Sequence, residues 1–239
     1  MYRETHSRSV VKTLSWRVIA TITTSLIVWA LTRHFEFALL VGGLDTAIKL
    51  VLYFLHERAW DRSSFGRKTV TPAVIWFTGL TKSGKTAISR QLAADLAAKG
   101  ARVEYLNGET LRDLFPETGF GREEREEHIK RVGYLASRLE QNGVFVVASF
   151  VSPYAASRAF VRGLAASFVL VHVSTPLGEC ERRDEKGFYA AAHRGDLRHV
   201  AGVDEPYEVP AEADLVIDIR AVTPEQASAQ VLARLKDHF

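Results

Sequence analysis

The feature that most constrains this chain is "AVIWFTGLTKSGKTAISRQLAADLAAKG", residues 73–100. A β-prone run ends on Gly79, four residues follow, and Gly84-Lys85-Thr86 opens a stretch with apolar residues at Ile88, Leu92, Leu96 and Ala97. That spacing is a helical period, and it closes on Gly100. Strand, glycine loop and helix in this order give the G-x-x-x-x-G-K-[ST] pattern the context it needs, because loop N–H groups and a helix N-terminus together cradle phosphate. The residues assigned to a nucleoside triphosphate are Gly79, Lys82, Ser83, Gly84, Lys85, Thr86 and Ala87. Lys85 is expected to reach the β/γ oxygens, and Thr86 to offer its hydroxyl to Mg2+. The plain alternative is a strand-to-helix turn without a ligand, with Lys82 merely solvated.

The strand pattern recurs at "RVEYLNG", "VFVVASF", "FVLVHVST" and "DLVIDI". Helical stretches lie between them, most clearly residues 122–143, where Ile129, Val132, Leu135, Ala136 and Leu139 share one face. Apolar strands alternating with helices imply an α/β domain whose parallel sheet is covered on both faces, with its ligand site at the strand C-termini.

Ahead of this domain stand two apolar runs, residues 14–32 and 37–55, each 19 residues long and separated by four. Roughly 20 apolar residues cross a bilayer as a helix, so the pair predicts a transmembrane hairpin turning near Arg33 to Phe35. Arg3, Arg8, Lys12 and Arg17 flank one end and Arg58, Arg62, Arg67 and Lys68 the other. By the positive-inside rule both ends are cytoplasmic, which places the protein at the inner membrane with the larger domain on the cytoplasmic side. Trp16 and Trp60 fall at the inner interface and Trp29 at the outer one. Asp45 and Lys49 are costly within a bilayer; four apart, they can pair on one face and share a polar seam with Thr21 and Thr24. A soluble amphipathic hairpin that dimerises through its apolar face is the alternative. The expected organisation is a hairpin at 1–62, a linker at 63–72 and a P-loop domain at 73–239.

Charge follows the same division. Residues 1–70 carry 10 of the 31 basic and 5 of the 28 acidic side chains, so the basic excess is N-terminal. It suits anionic lipid; the larger domain offers no basic stripe for nucleic acid. The single cysteine, Cys180, can form neither an intrachain disulfide nor a multi-cysteine metal site.

Beyond the phosphate loop the chain carries "LNGETLR", "GFGREEREEHIKRVG", "FVSPY", "ERRDEKGFY" and "GVDEPYEVP". With "GLTKSGKT", and in this order, these segments resemble the adenylyl-sulfate kinase family over about residues 76–219. The resemblance implies a P-loop nucleoside-kinase-like fold and transfer of the ATP γ-phosphoryl group to the 3′-hydroxyl of adenosine 5′-phosphosulfate. ATP is then co-substrate, with Mg2+. It implies that Arg112, Arg125 and the backbone at Val151-Ser152 bind the acceptor, that Phe120 stacks on its adenine, and that Lys186 belongs to a mobile lid. Ser152 matches a serine sometimes proposed as a phosphorylated intermediate. The plain alternatives on the residues alone are a solvated, charge-interleaved helix face for Arg125, a core plug for Phe120, and a strand-to-helix turn with Ser152 as N-cap and Pro153 at N1. Residues 7–62 are similar to a small bacterial two-helix membrane family of unassigned function, on "SWRVIAT" and "KLVLYFLHERAW".

The chain departs from the family pattern at several places. Asn107-Gly108-Glu109-Thr110 stands where Asp-Gly-Asp-Asn is usual, so Glu109 becomes the expected base and magnesium partner. His128 replaces an asparagine on the acceptor side. Ala190 and Ala191 replace lid lysines, and Val200 takes the place of a second aromatic residue around the acceptor base. A sulfonucleotide-binding regulatory module, or a kinase with an altered acceptor, therefore stays open beside the kinase, as does a homodimer.

Overall fold

The computed structural model describes residues 2–4, 10–12, 14–16, 18–20, 23, 27, 30, 38–63, 65, 67–115 and 119–238. The chain divides into two compact units, Met1–Thr69 and Val70–Phe239.

In the first unit, strand β1 (Tyr2–Glu4) pairs antiparallel with β2 (Arg67–Thr69), so part of the expected linker is a strand. The described residues between 10 and 30 are helical, and α1 spans Ala38–Arg62. Lys12 Nζ lies 3.4 Å from Glu57, Ser15 Oγ 2.9 Å from His56 Nε2, and Trp16 meets Tyr53 edge-on at 5.3 Å. Low numbers face high ones, as a hairpin turning near residue 34 demands. The transmembrane reading, however, is not borne out: among the described residues no helix is long and apolar enough to cross a membrane. In the sequence Asp45 and Lys49 fall within the apolar run at 37–55, and His56, Glu57, Arg58, Asp61 and Arg62 follow it. Thr21, Thr24, Trp29 and the side chain of Asp45, which make up most of the expected seam and the outer interface, lie outside the described residues.

The second unit is built on five parallel strands, β3 (Val74–Thr78), β4 (Val103–Asn107), β5 (Phe145–Ser149), β6 (Phe168–Val173) and β7 (Leu215–Ile217), in the order β4-β5-β3-β6-β7. These are the five runs legible as strands. Between them run α2 (Lys85–Ala98), α3 (Gly108–Leu114), α4 (Arg122–Gln141) and α5 (Ala155–Leu164). Two short helices, α6 (Leu177–Arg182) and α7 (Phe188–His193), follow β6, and α8 (Pro224–Arg234) closes the unit.

The two faces of the sheet bury separate cores. Ile75 and Phe77 pack with Ile88, Leu92 and Leu96 of α2 and Val231 of α8 on one side. Trp76, Val146 and Leu170 pack with Ile129, Val132 and Ala136 of α4 and Val161 of α5 on the other. Every residue of β3 is buried, which is why its sequence is continuously apolar and not alternating. The crossover that leaves β3 runs past β5 to β4, and the one that leaves β5 runs back past β3 to β6 on the other face, so the adjoining ends of β3 and β5 are the topological switch point, where ligands bind in open α/β sheets.

The apolar stripe of α4 is rotated slightly from the sequence expectation: Leu135 is 40% exposed, and Gly133 and Ser137 are turned inward. Gly133 sits where α4 crosses α5, and a Cβ added there would lie 2.5 Å from Val161 Cγ2. Gly133→Ala is therefore expected to destabilise the unit by about 1–3 kcal/mol through overpacking. Gly163→Ala, on α5 with nothing within 4 Å, is expected to stabilise it by about 0.5–1 kcal/mol. Paired urea melts of the two variants check both signs.

Candidate active site

The phosphate loop leaves β3 at Gly79, where φ is 152° and an added Cβ would lie 2.6 Å from the carbonyl oxygen of Val173. Only glycine lets the loop pass so close to β6. Gly84, at φ 95°, then turns the chain into α2, with Ile219 from the β7–α8 turn against it. Ser83 is fully buried, while Lys82, Thr86 and Ala87 are exposed at the loop and the first turn of the helix.

Lys85 folds back over this loop. Its Nζ donates to the carbonyls of Gly79 (2.8 Å) and Leu80 (2.6 Å) and to Ser83 Oγ (3.2 Å). Burial pushes its pKa down to about 7. A buried ammonium held by neutral oxygens gains most from an anion, so the loop is electrostatically prepared for phosphate. The loop is braced from outside as well: Thr175 Oγ1 donates to Ser83 O (2.8 Å) and Tyr189 OH to Thr81 O (2.8 Å).

A second cluster gathers three residues expected on the acceptor side. The Arg112 guanidinium lies 4.2 Å from the centre of the Phe120 ring and that of Arg125 5.6 Å from it. Arg112 Nη1 donates to Gly119 O (3.1 Å), and Arg125 donates to Phe120 O (2.6 Å) and to His199 O. Burial lowers the pKa of both guanidinium groups, and for Arg112 the neighbouring Arg125 lowers it further. Two partly desolvated like charges beside one aromatic ring favour the approach of an anion. Phe120 remains 54% exposed, so it is not a core plug.

The remaining expected residues divide. Glu109 is exposed in the first turn of α3, and Asn107 is consumed as that helix's cap: its Oδ1 accepts from Thr110 N and its Nδ2 donates to Thr110 Oγ1, both at 3.0 Å. Lys186 is exposed in the turn between α6 and α7. Val151 and Ser152 follow β5 beside the end of β3, but Ser152 is 2% exposed and its hydroxyl accepts from Trp76 Nε1 at 3.0 Å. A sealed hydroxyl of this kind anchors a turn; it does not receive a phosphoryl group. Nor does it cap α5, whose N-cap is Tyr154.

Val200 does not line the acceptor side. It is 4% exposed and packs with Cys180, Tyr189 and Ala192 in a small core under α7, so it offers no face to an acceptor. Asp204 accepts from the backbone N–H of both His199 (2.6 Å) and Val200 (2.5 Å), which sets His199 at φ 61° and turns that residue outward instead. His199, Tyr189, Tyr207 and Ile219 are site residues that periodicity does not reveal, because they lie in short or irregular segments; for Tyr207 the signal was its motif, "GVDEPYEVP".

His128 on α4 is 2% exposed, lies edge-on to Phe115 and Phe150, and has no hydrogen-bond partner at either ring nitrogen. Burial, then Arg112 and Arg131, push its pKa down to about 4. The unfolded ring titrates near 6.5, so between the two values only the unfolded chain binds the proton, and stability is lost as pH falls through that window. Between pH 7 and 5 the wild type is expected to lose about 1 kcal/mol more than His128→Asn, a figure reduced for solvent screening, in urea melts at the two pH values.

With this geometry in hand, the relatives are informative. The family model described as adenylylsulphate kinase matches residues 71–218, and one described as a predicted membrane protein matches residues 10–61. The adenylyl-sulfate kinase of Synechococcus sp. (strain JA-3-3Ab) is 40% identical over 174 residues, 72% of this chain and 97% of its own. The probable adenylyl-sulfate kinase of Pseudomonas aeruginosa is 42% identical over 166 residues, 69% of this chain and 77% of its own. Among solved structures, the Mycobacterium tuberculosis APS kinase in complex with AMPPNP and APS is 33% identical, with a TM-score of 0.67 over 71% of this chain and 99% of that one. Motif order and relatives agree: through residues 71–218 the chain belongs to the adenylyl-sulfate kinase family.

Proposed function

We propose that the chain transfers the γ-phosphoryl group of ATP to the 3′-hydroxyl of adenosine 5′-phosphosulfate, the phosphorylating step of sulfate assimilation. One observation carries this reading: Phe120, with the Arg112 and Arg125 guanidinium groups against its ring, follows β4, whose C-terminal end lies at the same end of the parallel sheet as the phosphate loop. The ring takes the acceptor purine, the guanidinium groups take its phosphosulfate, and the hydroxyl is presented to the triphosphate in the loop. Lys85 exchanges loop carbonyls for β/γ oxygens. Glu109 accepts the hydroxyl proton as the new O–P bond forms and the bond to the β-bridging oxygen breaks, with ADP leaving. Lys186 on the lid adds positive charge over the transferring group.

A hydroxyl and one carboxylate, Thr86 and Glu109, are a donor set that suits Mg2+, which keeps most of its shell as water and phosphate oxygen. When bound, the ion neutralises charge on the β/γ oxygens. The bonding of both polar atoms of Asn107 to Thr110 favours a second reading, a regulatory module that binds both nucleotides without turnover.

ADP release by the purified protein separates the two readings. The kinase requires release that depends on adenylyl sulfate; acceptor binding by calorimetry with no product supports the module. In an active enzyme Glu109→Gln is expected to lower kcat by about 10²–10⁴-fold. Phe120→Ala is expected to weaken acceptor binding by about 1–3 kcal/mol and leave the KM for ATP in place.

We further propose that the N-terminal unit holds the kinase unit at the inner face of the cytoplasmic membrane. Support comes from the matched predicted-membrane family, the basic flanks, and an exposed stripe of Val10, Leu14 and Val18. On cell fractionation the full chain is expected with membranes and a chain lacking residues 1–62 in the supernatant; a soluble full chain contradicts the proposal.

A further inference from the structure

The motif "GVDEPYEVP" has no role in the chemistry so far, yet its tyrosine reaches the centre of the site. Thr78 is the last residue of β3, immediately before Gly79. Its Oγ1 lies 2.7 Å from the carbonyl oxygen of Val151 and 3.0 Å from the hydroxyl of Tyr207. A carbonyl only accepts and a threonine has one hydroxyl proton, so Thr78 donates to Val151 and Tyr207 donates to Thr78. The direction of both bonds is thereby fixed.

The surroundings hold Tyr207 to this task. Its ring stacks on His172 of β6 with centroids 5.9 Å apart and planes at 24°, and His172 pairs with Thr78 across the sheet. The next residue straps the same segment onto the turn after β5. Glu208 N donates to Pro153 O (2.9 Å), its carboxylate accepts from Ala155 N (2.6 Å), and its carbonyl accepts from Arg158 Nη2 (2.7 Å). Arg158, 1% exposed, also donates to Ser152 O (2.7 Å). Ser152 itself is held at φ 36°, a conformation that a non-glycine residue keeps only when its neighbours impose it.

We propose that Tyr207 is a positioning residue: through Thr78 it locks the Val151-Ser152 backbone, on the acceptor side, to the strand end that starts the phosphate loop. The hydrogen-bonded path sets the separation and alignment of the two substrates. Burial pushes the phenol up to about 12, so it remains a donor across the working pH range. The inference rests on the phosphoryl-transfer reading above.

Tyr207→Phe removes one hydroxyl and keeps the ring. In the full chain it is expected to lower kcat by about 10–100-fold, the size of effect that small misplacements produce, with the KM for ATP within about twofold of wild type. Thr78→Val should share the defect and Thr78→Ser should rescue it, with Tyr207→Phe/Thr78→Val no worse than either single variant. An unchanged kcat in Tyr207→Phe overturns the proposal, as do additive losses in the double variant or a rise in both KM values that follows a fall in Tm. Should Tyr207→Phe fail to fold, Thr78→Val against Thr78→Ser decides alone: equal kcat values overturn the proposal, and a selective loss in the valine variant supports it. Absence of acceptor-dependent turnover in the wild type sinks the underlying reading, whereas an active wild type with an indifferent Tyr207→Phe sinks only this inference.

Discussion

The end of β3 is the constraint on which the kinase unit depends. A strand buried along its whole length delivers Gly79 against the carbonyl of Val173, and no side chain fits between them. That contact fixes where the loop starts, and Lys85, with all three of its hydrogen bonds to loop oxygens, fixes how it curls. Thr78, one residue earlier, ties the same point to the turn that follows β5. Donor loop and acceptor-side backbone are therefore hung from one strand terminus.

From that terminus outward, control passes to charge. Arg112 and Arg125 are held near each other by Phe120 and by loop carbonyls, with burial lowering the pKa of each. An anion relieves that arrangement better than water does, and the ring between them supplies a flat apolar surface for a base. His128, neutral and without a hydrogen-bond partner, lies edge-on to Phe115 and Phe150. Asn107 caps α3 and Glu109 stands in its first turn, both outside the phosphate loop.

The five strands of the kinase unit were legible because parallel strands covered on both faces are continuously apolar, and the phosphate loop because backbone geometry demands its glycines. Arg112, Phe120 and Arg125 could be named only through motif order: on the residues alone Arg125 reads as part of a solvated helix face and Phe120 as a core plug. Ser152 looked accessible because its partner, the Trp76 indole, lies 76 residues away in sequence. Val200 and His199 differ by one position in an irregular loop, where Asp204 decides which of them turns outward, and no period marks that choice. The apolar run at 37–55 predicted a membrane span, whereas among the described residues no helix is long and apolar enough to cross a membrane.

The most direct measurement is a crystal structure of the protein with a non-hydrolysable ATP analogue and adenylyl sulfate. The acceptor purine is expected on the Phe120 ring, its phosphosulfate between Arg112 and Arg125, and its 3′-oxygen between the Glu109 carboxylate and the γ-phosphate held by Lys85. An acceptor bound elsewhere, or a 3′-oxygen facing away from the phosphate loop, would contradict a site built for in-line transfer.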